Sequence, residues 1–190
     1  QRTEVTMKQQ KQTTKDMKKV EFTDDRARLY EEAVLEYPYA RDDDIKAMHK
    51  LLHPKAGESI LGIGEGNGVF AKAIADAVGL TGQYLVTDPS QEQLNNLVKR
   101  VNKPTHKPQV KIQIAGAEHI VVKQNAFDKA WSFGAFHHTS SQTMAIKQIY
   151  RALKKGGKAV ICDVFQGSRL AQHFDLQVAR YCITGHEVKF

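Results

Sequence analysis

The stretch that decides the fold is "SILGIGEGNGVF", residues 59–70. Ser59 to Ile63 is apolar and strand-like, and glycines follow at positions 64, 66 and 68. Glycines placed directly after a strand let the chain turn sharply at positive φ and let a ligand approach the backbone with no Cβ in the way. From about Val69 the pattern becomes helical, and a helix that starts here offers unpaired N–H groups to an anion. A fourth glycine, Gly62, lies inside the strand, where glycine weakens pairing and packs nothing. It either opens space in the site or marks the decay of that site.

The same β-then-α rhythm continues on the C-terminal side. "GVFAKAIADAVG" reads as a helix ending at Gly79, "GQYLVTD" as a strand, and "SQEQLNNLVKRVN" as a helix with Ser90 and Gln93 at capping-box spacing. "QVKIQIAG" is a third strand. A loop and short turn lead to "FDKAWSFGAF", the fourth, and "SQTMAIKQIYRALKKGG" is an amphipathic helix closed by Gly156 and Gly157. "KAVICDVF" is the fifth strand and "SRLAQHFDLQVARYCITG" a last helix. Short links between strands and helices predict an α/β fold, a parallel sheet with helices on both faces and right-handed crossovers.

On the N-terminal side, Thr23 is placed to cap a helix whose first turn is acidic, with Ala27, Tyr30, Val34 and Leu35 facing inward. "EYPYARDDD" interrupts it at Pro38. A second helix follows from about Asp43, with Ile45, Met48, Leu51 and Leu52 on one side, and stops at "HPKAGE". The resulting division is a basic flexible arm over 1–20, N-terminal helices over 21–58 and an α/β core over 59–190.

The composition, 41% hydrophobic and 26% charged in 190 residues, suits a soluble globular chain with one sizeable core. No apolar run is long enough to span a bilayer, and "QRTEVTMKQQKQTTKDMKK" has no apolar centre of a secretory signal. A cytoplasmic protein without a membrane partner is expected. Cys162 and Cys182 lie far from any metal-ligand spacing and read as buried reduced thiols; no metal is expected. Of the net charge of +7, residues 1–20 carry +4, leaving +3 for the rest of the chain. That is little for a face that grips phosphates, so nucleic acid is not the expected partner.

Two nucleotide motifs are excluded by single residues. A dinucleotide fingerprint starting at Gly64 needs glycine where Val69 stands, and a P-loop needs a Gly-Lys-Ser/Thr that is absent. What stands is G-x-G-x-G, and Asp88 ends the next strand about 20 residues past the last glycine. A carboxylate there can accept hydrogen bonds from both ribose hydroxyls of a nucleoside lying across the strand ends. The competing role for Asp88 is a helix N-cap.

Four stretches in order, "ILGIGEGNG", "YLVTDPSQEQL", "AFDKAWSFGAFHHTS" and "LKKGGKAVICDVF", with "YPYAR" ahead of them, resemble the class I S-adenosylmethionine-dependent methyltransferases of the small-molecule type. The resemblance covers about residues 30–187. It implies a Rossmann-like fold with a central, mostly parallel sheet of seven strands, S-adenosylmethionine as cofactor and a small-molecule methyl acceptor. By position, Gly64, Glu65, Gly66, Asn67 and Gly68 would flank the methionine and ribose, and Asp88 would hold the ribose. Pro89, Ala117 and Glu118 would border the adenine, and Phe133 to His138 would floor the transfer site. The family's sheet closes with an antiparallel pair, yet this sequence stops at "TGHEVKF". Either it is a fragment or something else covers that edge, because a bare edge invites pairing, a homodimer included.

Two departures concern charge. The family's acidic residue inside the first strand falls at Gly62, and the aspartate that receives the adenine amino group falls at Gly116. Losing such a partner costs on the order of 1–3 kcal/mol. Glu65 and Glu118 are the candidate substitutes, unless both are merely exposed. Gly62→Asp is expected to tighten cofactor binding if the cradle is intact, and to destabilise the fold if the cradle has been rebuilt.

For chemistry, "FHHTS" offers His137 and His138 at the end of the fourth strand. Strand alternation would send the two imidazoles to opposite sides, with His138 preferred as the base and a purely loop-shaping role as the alternative. Tyr30, Tyr37, Tyr39 and Arg41 are candidates for a lid. His173 and His186 fall where acceptor pockets often lie, or are structural. Besides methyl transfer to a small molecule, two readings stay open: a non-catalytic cofactor-binding or scaffold protein, and a tRNA or other nucleic-acid methyltransferase resting only on the basic arm.

Overall fold

In the computed structural model, which describes residues 22–101, 109–165, 167–169 and 172, five strands form one parallel sheet. They are β1 (Ser59–Ile63), β2 (Gln83–Asp88), β3 (Gln109–Ile114), β4 (Phe127–Phe133) and β5 (Leu153–Cys162), in spatial order β3-β2-β1-β4-β5. The chain builds outward from β1 to β3, then returns to lay β4 on the other side of β1. The switch point of this sheet is therefore the gap beyond the C-terminal ends of β1 and β4, where open α/β sheets bind their ligands.

Among the described residues the helices are α1 (Asp24–Glu36), α2 (Asp42–Leu52), α3 (Ala71–Val78), α4 (Gln91–Val101) and α5 (Gln142–Ala152). Alternation along β1 divides the core. Ile60 belongs to one apolar cluster with Met48 and Leu52 of α2, Ile74 and Val78 of α3, and Leu94 and Leu97 of α4. Leu61 and Ile63 belong to the other, with Ala130 of β4 and Ala145 and Ile149 of α5. Side chains of successive strand residues leave opposite faces, so β1 is buried from both sides. Its near-continuous apolar character follows from that.

Several sequence-based expectations are corrected. Helix α5 stops at Ala152, five residues before Gly157. Leu153 already pairs with Phe127, and the register shifts before Lys129 meets Lys158. The glycine pair serves this irregularity in β5, with Gly156 at φ 79°, rather than closing the helix. Helix α3 begins at Ala71 because the glycine turn runs on to Phe70. Thr23 occupies the N-cap of α1, but its side chain makes no capping bond. The Asp24 N–H is received instead by Glu92 of α4 at 2.8 Å. Ala27 is buried as expected, whereas Tyr30, Leu35 and Leu51 are exposed. Helices α1 and α2 each meet the core along a narrower stripe than their periodicity suggests.

The basic arm, most of the last predicted helix, Cys182, His173 and His186 lie outside the described residues. Among those described, no helix is long and apolar enough to cross a membrane.

Candidate functional site

The turn after β1 is a cradle latched to the end of β2. Gly64, Gly66 and Gly68 have φ of 66°, 54° and 79°, the left-handed region that other residues enter at a cost. At Gly64 a side chain is excluded twice over, since its Cβ would also collide with Cβ of Ala135. The turn is held by Gly64 N–H to the Thr87 carbonyl at 2.8 Å and Gly68 N–H to the Glu65 carbonyl at 3.0 Å. Gly66 N–H donates to Asp88 Oδ2 at 2.9 Å. A Cβ at Gly66 would meet no atom within 4 Å, so the backbone there borders open space.

Asp88 is nearly buried and binds two backbone groups, Gly66 N–H through Oδ2 and Ser90 N–H through Oδ1 at 2.8 Å. Burial pushes its carboxyl up to about 6, with the two N–H donors opposing. The capping role belongs to its neighbour: Ser90 Oγ accepts the Gln93 N–H at 3.2 Å, so that half of the capping box forms. Each Asp88 oxygen keeps a second lone pair.

Beneath the cradle lies a buried polar cluster that explains Gly62. Tyr84 of β2 reaches up the sheet face, and its hydroxyl donates to Glu65 Oε1. Trp131 of β4 donates from Nε1 to the same oxygen, and also to Tyr84 Oη at 3.0 Å. A Cβ at Gly62 would collide with Glu65 Oε1 and lie 2.6 Å from Tyr84 Oη and 2.8 Å from Glu65 Cγ. Gly62 thus opens space, and Tyr84 and Glu65 fill it. Glu65 is 7% exposed, not a solvated turn residue. Desolvation pushes its carboxyl up to about 7, against the pull of the Tyr84 and Trp131 hydrogen bonds and with a smaller push from the Asp88 charge. Its second oxygen, Oε2, is buried with no hydrogen-bond partner among the described residues. The expectation that an aspartate at 62 fits an intact cradle is corrected here, because its space is taken.

Asn67, also buried, takes part in a second polar cluster. Its Nδ2 donates to Glu31 of α1 at 2.5 Å. Arg100 of α4 pairs with the same carboxylate at 2.6 Å and donates to the Asn67 carbonyl at 3.1 Å. The glycine turn is thereby tied to the N-terminal helices.

On the far side of β2, Pro89 is half-buried and Ala117 is buried within a single 3-10 turn, Ala117–His119. Glu118 Oε1 accepts the N–H groups of Ser140 and Ser141 at 2.6 and 3.1 Å. Its Oε2 would lie 3.3 Å from a Cβ at Gly116. Glu118 is half-buried and holds the loop leading into α5.

At the end of β4, Phe133 packs on Phe70 with ring centroids 4.7 Å apart, and the Arg41 guanidinium stands 5.6 Å from its ring centre. Tyr37 and Tyr39 are exposed. The two histidines lie past the strand, in a 3-10 turn over Phe136–His138. Strand alternation therefore does not set the direction of their side chains. Their rings lie side by side, centroids 4.0 Å apart, instead of on opposite faces. His137 is buried, with Nδ1 2.7 Å from Asp163 Oδ1 and its N–H on Asp163 Oδ2 at 3.2 Å. Burial alone would raise the Asp163 carboxyl, but the hydrogen bond and charge of His137 hold it below the usual range. His138 meets the ring of Phe22 edge-on at 5.8 Å.

Five residues of this region escaped sequence reasoning. Trp131, the only tryptophan, inside the fourth strand, and Asp163, within the predicted fifth strand but one residue past its observed end, stood at positions that could have flagged them. Tyr84, Glu31 and Arg100 carried no local signal.

A parallel sheet in this order, a glycine turn at its switch point and a carboxylate closing the next strand define a class I methyltransferase domain. A family model described as a methyltransferase domain matches residues 60–157, and the chain belongs to that family, the class I S-adenosylmethionine-dependent methyltransferases. Its relatives include a demethylmenaquinone methyltransferase of Oceanobacillus iheyensis, 26% identical over 66% of this chain and 54% of that protein. Another is a 27-O-demethylrifamycin SV methyltransferase of Amycolatopsis mediterranei, 30% identical over 60% of this chain and 41% of the other. The chain thus spans about half of these relatives or less. Among solved structures, the YcgJ protein of Bacillus subtilis superposes with a TM-score of 0.63 at 22% identity, covering 73% of this chain and 59% of that one. A SAM-dependent methyltransferase from Aquifex aeolicus gives 0.59 at 24% identity, covering 66% of each. These likenesses support the fold.

Proposed function

We propose that the chain binds S-adenosylmethionine across the C-terminal ends of β1, β2 and β4 and transfers its methyl group to a small-molecule acceptor. The observation that carries this reading is the glycine turn bonded through Gly66 N–H to Asp88, with open space bordering Gly66. The residues present fit the group. Asp88 has lone pairs left for ribose hydroxyls, and a buried acceptor, Glu65 Oε2, waits beneath the turn. When bound, the cofactor supplies an electrophilic methyl on a sulfonium.

The chain's part is to position and to manage a proton. Gly64, Gly66 and Gly68 admit the cofactor to the backbone, and Pro89, Ala117 and Glu118 border its base. Phe133, backed by Phe70, floors the transfer site and keeps water away. Asp163 fixes the His137 ring through Nδ1, and this oriented imidazole takes the general-base role here in place of the His138 that the sequence favoured. His138 stacks beside it, and Arg41 closes over Phe133 from the N-terminal helices.

Both named relatives are methyltransferases of small organic acceptors by their names, which favours such an acceptor over nucleic acid. Titration calorimetry with S-adenosylmethionine and S-adenosylhomocysteine tests the cofactor, and transfer of a labelled methyl to a panel of quinols and phenols, with tRNA as the counter-arm, tests the acceptor. Binding with labelled small-molecule product is expected. No heat and no thermal shift at millimolar ligand would overturn the reading in favour of a non-catalytic domain.

A further inference from the structure

We propose that Glu65, a residue of the glycine turn, is the counter-charge for the cationic methionine end of S-adenosylmethionine, and that Gly62 is glycine so that this carboxyl can occupy the strand position. The inference rests on the cofactor reading above and adds where the charge resides. Its basis is geometric. Glu65 is more than nine-tenths buried, one oxygen anchored by Tyr84 and Trp131 and the other enclosed with no hydrogen-bond partner among the described residues. Its Oε1 overlaps the place of a residue-62 Cβ. A buried carboxyl with one unsatisfied oxygen is costly to a fold unless something completes it. A bound cation completes it.

A consequence is proton linkage. The groups facing Glu65 are Tyr84 from β2, Trp131 from β4 and, through its charge, Asp88 at the end of β2. Tyr84 is itself held well above the usual phenol range by burial and by Glu65, so it serves as a neutral donor. In the free protein, with the carboxyl near 7, Glu65 carries a proton below neutrality. Pairing with a cation favours the ionised form, so binding expels that proton.

The test compares the parent chain with Glu65→Gln against three ligands: S-adenosylmethionine, S-adenosylhomocysteine, and 5′-methylthioadenosine, which lacks the amino-acid end and carries no charge. Glu65→Gln is expected to weaken the first two by about 10- to 100-fold and to leave methylthioadenosine unchanged. Calorimetry at pH 6.5 in buffers of different ionisation enthalpy is expected to show proton release for S-adenosylmethionine in the parent chain and none in the variant. The double variant Gly62→Asp/Glu65→Ala returns the acid to the strand and is expected to restore the preference for charged ligands. Equal weakening of all three ligands by Glu65→Gln, or no weakening at all, would overturn the proposal while leaving the cofactor reading intact. A parent chain that binds none of the three overturns both.

Discussion

Replacing Gly62 by alanine adds one methyl group, and the structure says where it goes. It collides with Glu65 Oε1 and comes within 2.6 Å of Tyr84 Oη and 2.8 Å of Glu65 Cγ, inside the buried cluster on one face of β1. Two responses are open to the protein. Glu65 can swing away, which strips the Tyr84 hydroxyl and the Trp131 N–H of a buried acceptor at about 1–3 kcal/mol. Alternatively β1 can shift against β2 and β4, the overpacking response, at a similar ~1–3 kcal/mol. Either response gives an expected loss of about 1–3 kcal/mol, or roughly 2–12 °C in Tm for a chain of this size. Urea titration followed by tryptophan emission is the suitable assay, because the one tryptophan, Trp131, is part of the cluster. The cause is isolated by a cycle with Glu65→Ala. With the carboxyl gone, Gly62→Ala should cost well under about 1 kcal/mol, giving a coupling of roughly 1–2 kcal/mol between the two sites. A loss below about 0.5 kcal/mol for Gly62→Ala alone, or strict additivity in the cycle, would refute the co-occupancy of that space.

Burial raises the Glu65 carboxyl to about 7, so the folded chain keeps a proton that the unfolded chain releases. That contribution is fully present below the unfolded pKa of about 4.3 and is lost as pH rises to about 7. The stability of Glu65→Gln relative to the parent should therefore improve by on the order of 3 kcal/mol between pH 4.5 and 7.5, and a difference that stays flat across urea titrations in that range would disprove the buried, neutral carboxyl. Asp88→Ala removes the acceptor for Gly66 and Ser90 N–H; calorimetry should show S-adenosylhomocysteine weakened about 5- to 150-fold, and unchanged affinity would confine Asp88 to shaping the turn. His137→Asn and Asp163→Asn should each slow methyl transfer, by about 10²- to 10⁴-fold for His137, with S-adenosylhomocysteine affinity kept. A wild-type rate in both would make the pair a loop clamp.

The sequence by itself determined the order of elements, because each depends on neighbours a few residues away. The apolar period along β1, β2 and α4, the Ser90 cap and the glycine turn at 64–68 are local properties of the chain, and each lies in the structure where its local signal put it. The parallel sheet and its switch point followed from the rhythm of strand and helix. Misreadings came where local signals compete with distant ones. Gly156 and Gly157 look like a helix stop, but pairing of Leu153 with Phe127 claimed them for β5. "FHHTS" looks like a strand end, but a 3-10 turn set the imidazoles side by side and brought Asp163, 26 residues on, to His137. The meaning of Gly62 was hidden for the same reason. Whether a glycine leaves a hole depends on what enters the hole, and here Tyr84 enters from the neighbouring strand, Glu65 from the turn, and Trp131, 66 residues after Glu65, binds it from β4. The burial that raises the Glu65 carboxyl exists only when those three elements meet, so its charge state belongs to the tertiary structure alone.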